Sequence, residues 1–333
     1  RPERLLHFAR YNKCSTFSQQ SALSAHAMEF FDPHFHIWDL SPQSTSGHDP
    51  AVLTECPWTT TGNSKMYTEV DYEADCDGAP EVLKHIGGVF IDVMSACYPG
   101  TPGEALQETC LQEAHWVAAM LSKSSRLYRY APSACLESPN ASATLSKLAE
   151  IPGCVGIRQI LNHEPHWPRN GELGDLLDNE QWKKGYALLA DVGFSFDLQL
   201  NPHQFAKAAD HIQNHPNIPV IINHLGTPTL DDLTTKRNQY SDGMRKLAAL
   251  ANVNIKISML CYTDKDFDKS PVVLDAISQI LSLFGDDRCC FATNFPVDRR
   301  WRLPLRLAFI AAVALVLPPR KSNRWLQGKS SCN

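Results

Sequence analysis

The sequence contains one closely spaced pair of histidines, His34 and His36, directly after a run of strand-forming residues. On a β-strand, residues two apart project to the same side, so the two imidazoles should face one space. Imidazole nitrogens at that spacing suit a divalent metal ion, and they can also polarise a carbonyl group directly. We therefore interpret His34 and His36 as catalytic residues and as metal ligands.

A third histidine, His224, follows the apolar run IPVIIN and precedes a turn that contains a glycine. A histidine at the end of a buried strand is expected at the face where the active sites of α/β barrels lie. We therefore predict that His224 joins His34 and His36 as a catalytic residue and metal ligand. The alternative is a structural histidine whose ring nitrogens are satisfied by neighbouring groups.

Two cationic residues interrupt otherwise apolar segments: Arg158 in GCVGIRQI and Lys256 in VNIKIS. A buried guanidinium requires an anionic or carbonyl partner. For Arg158 that partner is either a substrate group or a carboxylate of the protein, such as Asp197 or Glu113. The residues alone leave both partners open for Arg158, and Lys256 raises the same question more weakly.

Short β-branched runs alternate with helical stretches along the chain, which predicts a parallel sheet. Eight such pairs predict a closed (β/α)₈ barrel of the TIM type. An open doubly wound sheet is the alternative, but no GxGxxG motif follows any of the runs. The predicted strands cover residues 29–37, 86–93, 126–131, 153–160, 194–200, 218–223, 253–258 and 288–293.

Two long segments, 38–75 and 161–179, contain Trp, Pro and His and are predicted to be loops. Both follow predicted strands, so they should leave the carboxyl ends of those strands. In barrels of this type that face carries the active site.

Composition excludes several function classes. The formal net charge of −5 over 333 residues provides no basic surface for nucleic acid and no polybasic patch for a membrane. The partner we expect is a small-molecule substrate. The eleven cysteines are odd in number and contain no CxxC pair, which favours reduced thiols and hence a cytoplasmic protein.

The two ends of the sequence differ from its centre. Residues 1–27 carry four basic residues, one acid and a Ser-containing run, which is typical of an organelle transit peptide or of a non-native extension. The first interpretation would place the protein in a mitochondrion or another organelle. Residues 299–333 include a 15-residue apolar stretch that is too short to span a membrane. We interpret this end as an atypical segment, consistent with an incorrect gene model.

Six segments in order resemble the amidohydrolase-related family of the amidohydrolase-2 type, and its lactonase-like branch in particular. The resemblance covers most of the chain and assigns residues 28–298 to a barrel of the amidohydrolase superfamily. The segments that carry it are FDPHFHIWDL, GIRQIL, FDLQL, VIINHLG, NVNIKIS and FATNFPVD.

The resemblance implies that His34 and His36 leave the first strand, that His224 leaves the sixth, and that Arg158 holds a substrate carbonyl or carboxylate. The family's eighth strand usually supplies an aspartate that binds metal or acts as the general base. Asn294 stands at that position here. An amide accepts no proton from water at neutral pH and is a poor metal ligand. We therefore expect a zinc or manganese ion that is weakly bound or absent.

Asp298, four residues beyond Asn294, is the nearest carboxylate that could substitute as a catalytic residue, and Asp32 precedes the histidine pair. Asp298 should lie past the end of the strand, which favours a structural role for it. We count both Asn294 and Asp298 among the candidate catalytic residues.

These features predict a hydrolase that opens a lactone or a related carboxylic ester by water attack on a carbonyl polarised by His and Arg. Two alternatives remain. One is a zinc-dependent decarboxylase of the wider superfamily, which would need a full set of three histidines and an aspartate. The other is a catalytically inactive binding barrel, which Asn294 favours and the three histidines disfavour.

Overall fold

The structure, a computed structural model, describes residues 28–48, 65–78, 83–93, 104–164 and 174–298. The predicted end segments 1–27 and 299–333 lie outside these ranges. The strands are β1 (Met28–Phe35), β2 (Trp38–Asp39), β3 (Met66–Tyr67), β4 (Leu83–Ile91), β5 (Leu127–Ala131), β6 (Gly156–Ile160), β7 (Ser195–Gln199), β8 (Val220–Ile222), β9 (Val253–Ile257) and β10 (Cys289–Phe291).

Helices connect most of these strands. They are α1 (Glu69–Asp77), α2 (Glu104–Leu121), α3 (Ala141–Ala149), α4 (Glu180–Ala187), α5 (Leu189–Val192), α6 (Phe205–Ile212), α7 (Leu230–Leu233), α8 (Arg237–Ala248), α9 (Leu260–Thr263) and α10 (Pro271–Phe284). Single turns of 3₁₀-helix lie at Leu176–Asp178, Pro202–Gln204, His224–Gly226 and Asp286–Arg288.

Eight parallel strands form the barrel wall, in two sheets. One sheet has the order β1-β4-β5, and the other has the order β10-β9-β8-β7-β6. All adjacent pairs within the two sheets run parallel. The short strands β2 and β3 pair antiparallel outside this wall. The predicted α/β barrel class and its eight strands are therefore confirmed.

Isolated bridges join the two sheets at two seams. At the seam between β5 and β6, Tyr130 bridges to Cys154 and Ser133 to Arg158. At the seam between β10 and β1, Phe35 bridges to Phe295. The two sheets therefore meet only through isolated bridges, and the expected closed barrel is not completed by ladders at these two seams.

The main hydrophobic core lies between the strands and the surrounding helices, as expected when a parallel sheet is covered. Trp182 of α4 and Phe196 of β7 are fully buried there. A smaller apolar cluster contains Val89, Ile91 and Ala131, with Phe31 packed against it.

The segment predicted as a loop over 38–75 contains more structure than its sequence indicates. Its described residues include the β2–β3 pair and helix α1. The helix begins with a capping box in which Thr68 and Asp71 bond to each other's backbone. That Thr-x-x-Asp spacing is the signal that would have predicted it, because α1 has only a weak apolar stripe.

A buried carboxylate fastens the seam between the first and last strands. Asp32 of β1 accepts hydrogen bonds from the backbone N–H of Thr293 (3.0 Å) and from its hydroxyl (2.5 Å). It also accepts from the Tyr72 hydroxyl at 2.8 Å and from the His34 N–H at 3.2 Å. The backbone N–H of Asn294, the residue after Thr293, donates to the His34 carbonyl at 2.9 Å.

Replacing Asp32 with Ala should lower the free energy of unfolding by about 3 kcal/mol or more, since several buried donors would lose an ionisable acceptor. Asp275→Ala provides the control, because that carboxylate pairs with Arg237 at an exposed position. The control should change stability by less than about 0.5 kcal/mol. Urea unfolding of both variants measures the difference, and equal losses would show that the seam does not depend on Asp32.

Candidate active site

The first barrel strand carries two histidines into one space. The pairing of β1 with β4 is irregular between Asp32 and Phe35, which marks a bulge. Beyond it, the Nε2 atoms of His34 and His36 lie 3.2 Å apart, and both side chains are buried. The two imidazoles therefore lie together at the end of the strand, as their two-residue spacing predicts.

The tautomer of His36 follows from its neighbours. Its Nδ1 lies 2.8 Å from the carbonyl oxygen of Ile91, which can only accept, so Nδ1 carries the hydrogen. Nε2 then presents a lone pair, and it faces His34 Nε2 and, at 3.2 Å, Asn294 Oδ1. Two acceptors facing each other repel, unless a cation lies between them or the amide is turned so that its N–H₂ donates.

His224 completes the group of imidazoles. Its ring centroid lies 4.5 Å from that of His34, and its Nδ1 lies 2.8 Å from the Ser258 hydroxyl. The residue follows β8 and has a φ of 56°, in the left-handed region. The three histidines thus lie side by side, although they come from two separate parts of the chain.

Arg158 of β6 reaches across the seam to the other sheet. Its Nε donates to Asp92 Oδ1 at 2.5 Å, and its Nη2 donates to the Asp92 carbonyl at 2.6 Å. Its Nη1 donates to Gln199 Oε1 at 3.0 Å. The protein carboxylates suggested by the sequence, Asp197 and Glu113, are not these partners, because they bond instead to Lys256 and to His48.

Burial and nearby positive charge keep the imidazoles neutral. Burial lowers the pKa of His34 well below its usual value, and the charges of His224 and Lys256 lower it further. Burial and then Arg158 lower the pKa of His36 to about 4. The same two causes lower the pKa of His224. At neutral pH these rings therefore offer lone pairs and N–H groups.

Asn294 follows β10 with a φ of 55°, a conformation that asparagine adopts more readily than most residues. Its amide nitrogen is buried and has no hydrogen-bond partner in the described part of the chain. Asp298 lies one turn further on, where its N–H donates to the Asn294 carbonyl. The Asp298 carboxylate accepts from the Cys261 thiol at 3.3 Å. Its catalytic role stays a prediction.

The donor set is suited to a divalent ion, but weakly. The 3.2 Å between the two Nε2 atoms is close to the ~3.3 Å that separates two ligands of a tetrahedral zinc. The Ile91 carbonyl holds His36 as outer-shell partners hold metal-binding histidines. Within the described ranges, however, no three His, Cys, Asp or Glu side chains are arranged to hold an ion. For an ion at this point, His34 and His36 stay the predicted donors, and His224 and Asn294 are further candidates.

The structure brings together the histidines and Arg158 that the sequence predicted, but sequence reasoning missed the groups that orient them. Asp92 and Gln199 hold the guanidinium, and Ser258 holds His224. Gln199 and Ser258 stand two residues after Asp197 and Lys256, so their strands place them on the same face as those charged residues. That alternation is the signal that would have found them.

The family of the chain follows from comparison with known proteins. A family model described as amidohydrolase matches residues 31–326. The chain therefore belongs to the amidohydrolase family, in its amidohydrolase-2 type.

Individual relatives are more distant. The protein y4mH of Sinorhizobium fredii is 27% identical over 273 residues, which cover 80% of this chain and 85% of the relative. An amidohydrolase from Burkholderia multivorans with bound zinc has a TM-score of 0.62 at 18% identity, covering 90% of this chain and 92% of that one. At such identities the likeness shows the fold alone.

Two further structures share the fold but differ in their named reactions. A Pseudomonas putida protein described as a 2-pyrone-4,6-dicarboxylic acid hydrolase has a TM-score of 0.57 at 15% identity, covering 85% of this chain and 90% of that one. A 2,6-dihydroxybenzoate decarboxylase has a TM-score of 0.56 at 12% identity, covering 90% of this chain and 95% of that one.

Among the described helices, none is long and apolar enough to cross a membrane.

The low pKa of His36 should make stability depend on pH. Its pKa is about 4 when folded against an ordinary 6.5, so between these values the unfolded chain binds more protons. Stability should therefore be full above pH 6.5 and fall as the pH drops towards 4, with His36 contributing about 3 kcal/mol. His36→Gln should flatten this dependence by that amount, measured by urea unfolding after chelation.

His203→Gln, at an exposed position, serves as the control and should leave the curve unchanged. A His36→Gln curve as steep as that of the parent would mean that His36 is not held neutral by its surroundings.

Proposed function

We propose that this protein is a hydrolase that opens the ring ester of a lactone. The observation that carries the proposal is the grouping of three neutral imidazoles with a guanidinium that retains hydrogen-bonding capacity. Such a group can polarise a carbonyl and stabilise the oxyanion formed when water attacks. Membership of the amidohydrolase family supports hydrolysis as the reaction class.

The guanidinium of Arg158 is suited to the developing negative charge. An arginine has five N–H groups, and three of those in Arg158 donate to Asp92 and Gln199. Two N–H groups, one on each terminal nitrogen, have no partner among the described residues. Because Asp92 and Gln199 fix the plane of the guanidinium, these donors are oriented before the substrate binds.

In the proposed reaction, the water oxygen forms a bond to the lactone carbonyl carbon, and the bond from that carbon to the ring oxygen breaks. One proton of the water passes to an imidazole nitrogen and then to the departing alkoxide, so that a hydroxy acid is released. When no ion is bound, His34 is the candidate acceptor: if its Nε2–H donates to His36, its Nδ1, which has no partner among the described residues, carries the free lone pair.

A divalent ion, zinc or manganese, would be held by His34 and His36 with help from His224 or Asn294. Such an ion supplies Lewis-acid polarisation and lowers the pKa of a bound water. Four neutral donors hold it less tightly than a set that includes a carboxylate, because no anion offsets its charge. The histidines have low pKa values and are weak bases, so a strongly electrophilic carbonyl is the best match for them.

That match favours a lactone over an amide, because lactone carbonyls are the more electrophilic. The similarity in fold to the Pseudomonas putida protein, whose name describes a pyrone hydrolase, supports the same substrate class. Decarboxylation is the second candidate, supported by the similar fold of the dihydroxybenzoate decarboxylase. Asn294 counts against it, since that reaction would need the full metal set. A barrel that binds without catalysis would fail on both substrate types.

A panel of lactones is first tested to find the one that the protein hydrolyses fastest. On that lactone, His34→Ala and Arg158→Ala should each lower kcat by about a hundredfold or more, as the loss of an oxyanion stabiliser does. Arg288→Ala is the matched control. Arg288 lies just before β10, at the opposite end of that strand from Asn294. Its guanidinium donates to the backbone carbonyls of Leu250 and Ala248. The control should lose stability and keep its kcat. Equal kcat losses in all three variants would contradict the proposed site.

Chelation and Asn294→Asp test the metal. Because the imidazoles and Arg158 can polarise the carbonyl without an ion, a chelator should leave most lactone hydrolysis intact. Asn294→Asp should raise zinc affinity by about tenfold or more, because it places an anionic oxygen beside His36. Calorimetric titration with zinc measures this, with Asn162→Asp as the control. If chelation abolishes activity and Asn294→Asp leaves metal affinity unchanged, the ion is held without this position and the mechanism is wrong.

A further inference from the structure

The turn that carries His224 is built from unfavourable backbone conformations. His224, Leu225 and Thr227 have φ values of 56°, 54° and 49°, in the left-handed region that residues with a Cβ rarely adopt. Non-glycine residues persist in this region only when the surrounding structure holds them there. The position of His224 therefore depends on contacts that keep the turn from relaxing.

Packing restrains one side of this turn. Gly226 lies so close to α6 that an added Cβ would come within 2.3 Å of the Phe205 ring. The Tyr240 hydroxyl of α8 donates to the Leu225 carbonyl at 3.0 Å. These contacts fix the outer side of the turn, but they do not reach the residue at which it leaves the strand.

Asn223 is that residue, and its side chain is held inside the barrel. It is fully buried, and its Nδ2 donates to Asp197 Oδ1 at 2.7 Å. Its backbone N–H donates to the Leu198 carbonyl at 2.8 Å. Asp197 is therefore the side-chain anchor from which the turn begins.

Lys256 of β9 holds the Asp197 carboxylate in place. Its Nζ donates to the same oxygen, Asp197 Oδ1, and the side chains of the pair are 2% and 4% exposed. Two residues further along the chain, just past the end of β9, Ser258 bonds to the His224 ring. The β9 strand and the residue after it thus contact the turn at both ends: at Asn223 through Asp197, and at the imidazole directly.

We propose that Lys256, Asp197 and Asn223 form a positioning device that holds His224 in place for the reaction. The inference rests on the proposed function in so far as His224 takes part in it. A buried ion pair gives little net stability over an apolar pair of similar size, so filling the core does not explain it. An apolar pair would lack the Asp197 oxygen that Asn223 binds.

Two double variants separate positioning from charge balance. Lys256→Met with Asp197→Asn removes both charges but keeps an amide oxygen that can accept from Asn223. Lys256→Met with Asp197→Leu removes both charges and the acceptor. Neither leaves an unpaired buried charge, so both should fold, as near-ultraviolet circular dichroism would verify.

The first double variant should retain kcat within about threefold of the parent. The second should lose about tenfold or more with little change in KM, because a small displacement of a reacting group lowers turnover strongly. Asn223→Ala leaves the ion pair intact and should reproduce this loss, which keeps the test decisive if the Leu variant does not fold. Arg237→Met with Asp275→Asn, which removes an exposed ion pair, is the control.

The imidazole nitrogen resonances of His224, assigned by their loss in His224→Ala, provide a readout that needs no substrate. They should match the parent in the Asn-containing variant and shift in the Leu-containing variant and in Asn223→Ala. This result would stand even if no lactone is hydrolysed, so the failures of the two proposals are distinguishable. Unchanged His224 resonances in all three variants, or equal kcat in the two doubles, would overturn the positioning role.

Discussion

Two positively charged side chains, Arg158 and Lys256, are buried inside the barrel, and the histidines lie beside them. Asp92 balances Arg158, and Asp197 balances Lys256. A protonated imidazole beside these pairs would add a charge with no counterion, which is costly at low dielectric. The histidines therefore stay neutral, and their chemistry is that of lone pairs and neutral N–H donors.

The same arrangement explains the consequence of Asn294. An aspartate there would place a negative charge next to His36 and favour a cation at that point. With an amide there, Arg158 and Lys256 are already balanced, because each has a carboxylate of its own. A site of this kind can act on a reactive carbonyl without strong metal binding, and this agrees with the lactone chemistry that we propose.

Much of the fold could be predicted from sequence because each barrel strand is a short apolar run with clear ends. The site was harder to predict from sequence, because the positions of its side chains depend on local backbone conformations that residue patterns do not indicate. The bulge in β1 and the left-handed residues at His224 and Asn294 reorient side chains by local backbone changes. The partner of Arg158 could not be deduced either, because Asp92, just past the end of β4, is distant in sequence and lies near Arg158 only in the folded chain.

The division of the barrel into a three-stranded and a five-stranded sheet has a consequence for its motions. Ladders open as cooperative units, so amide hydrogens along the seams should exchange with solvent sooner than those inside either sheet. The active-site groups span both seams: Arg158 reaches Asp92 across one, and His36 meets Asn294 across the other. A substrate bound to these groups would therefore connect the two sheets and slow amide hydrogen exchange along both seams.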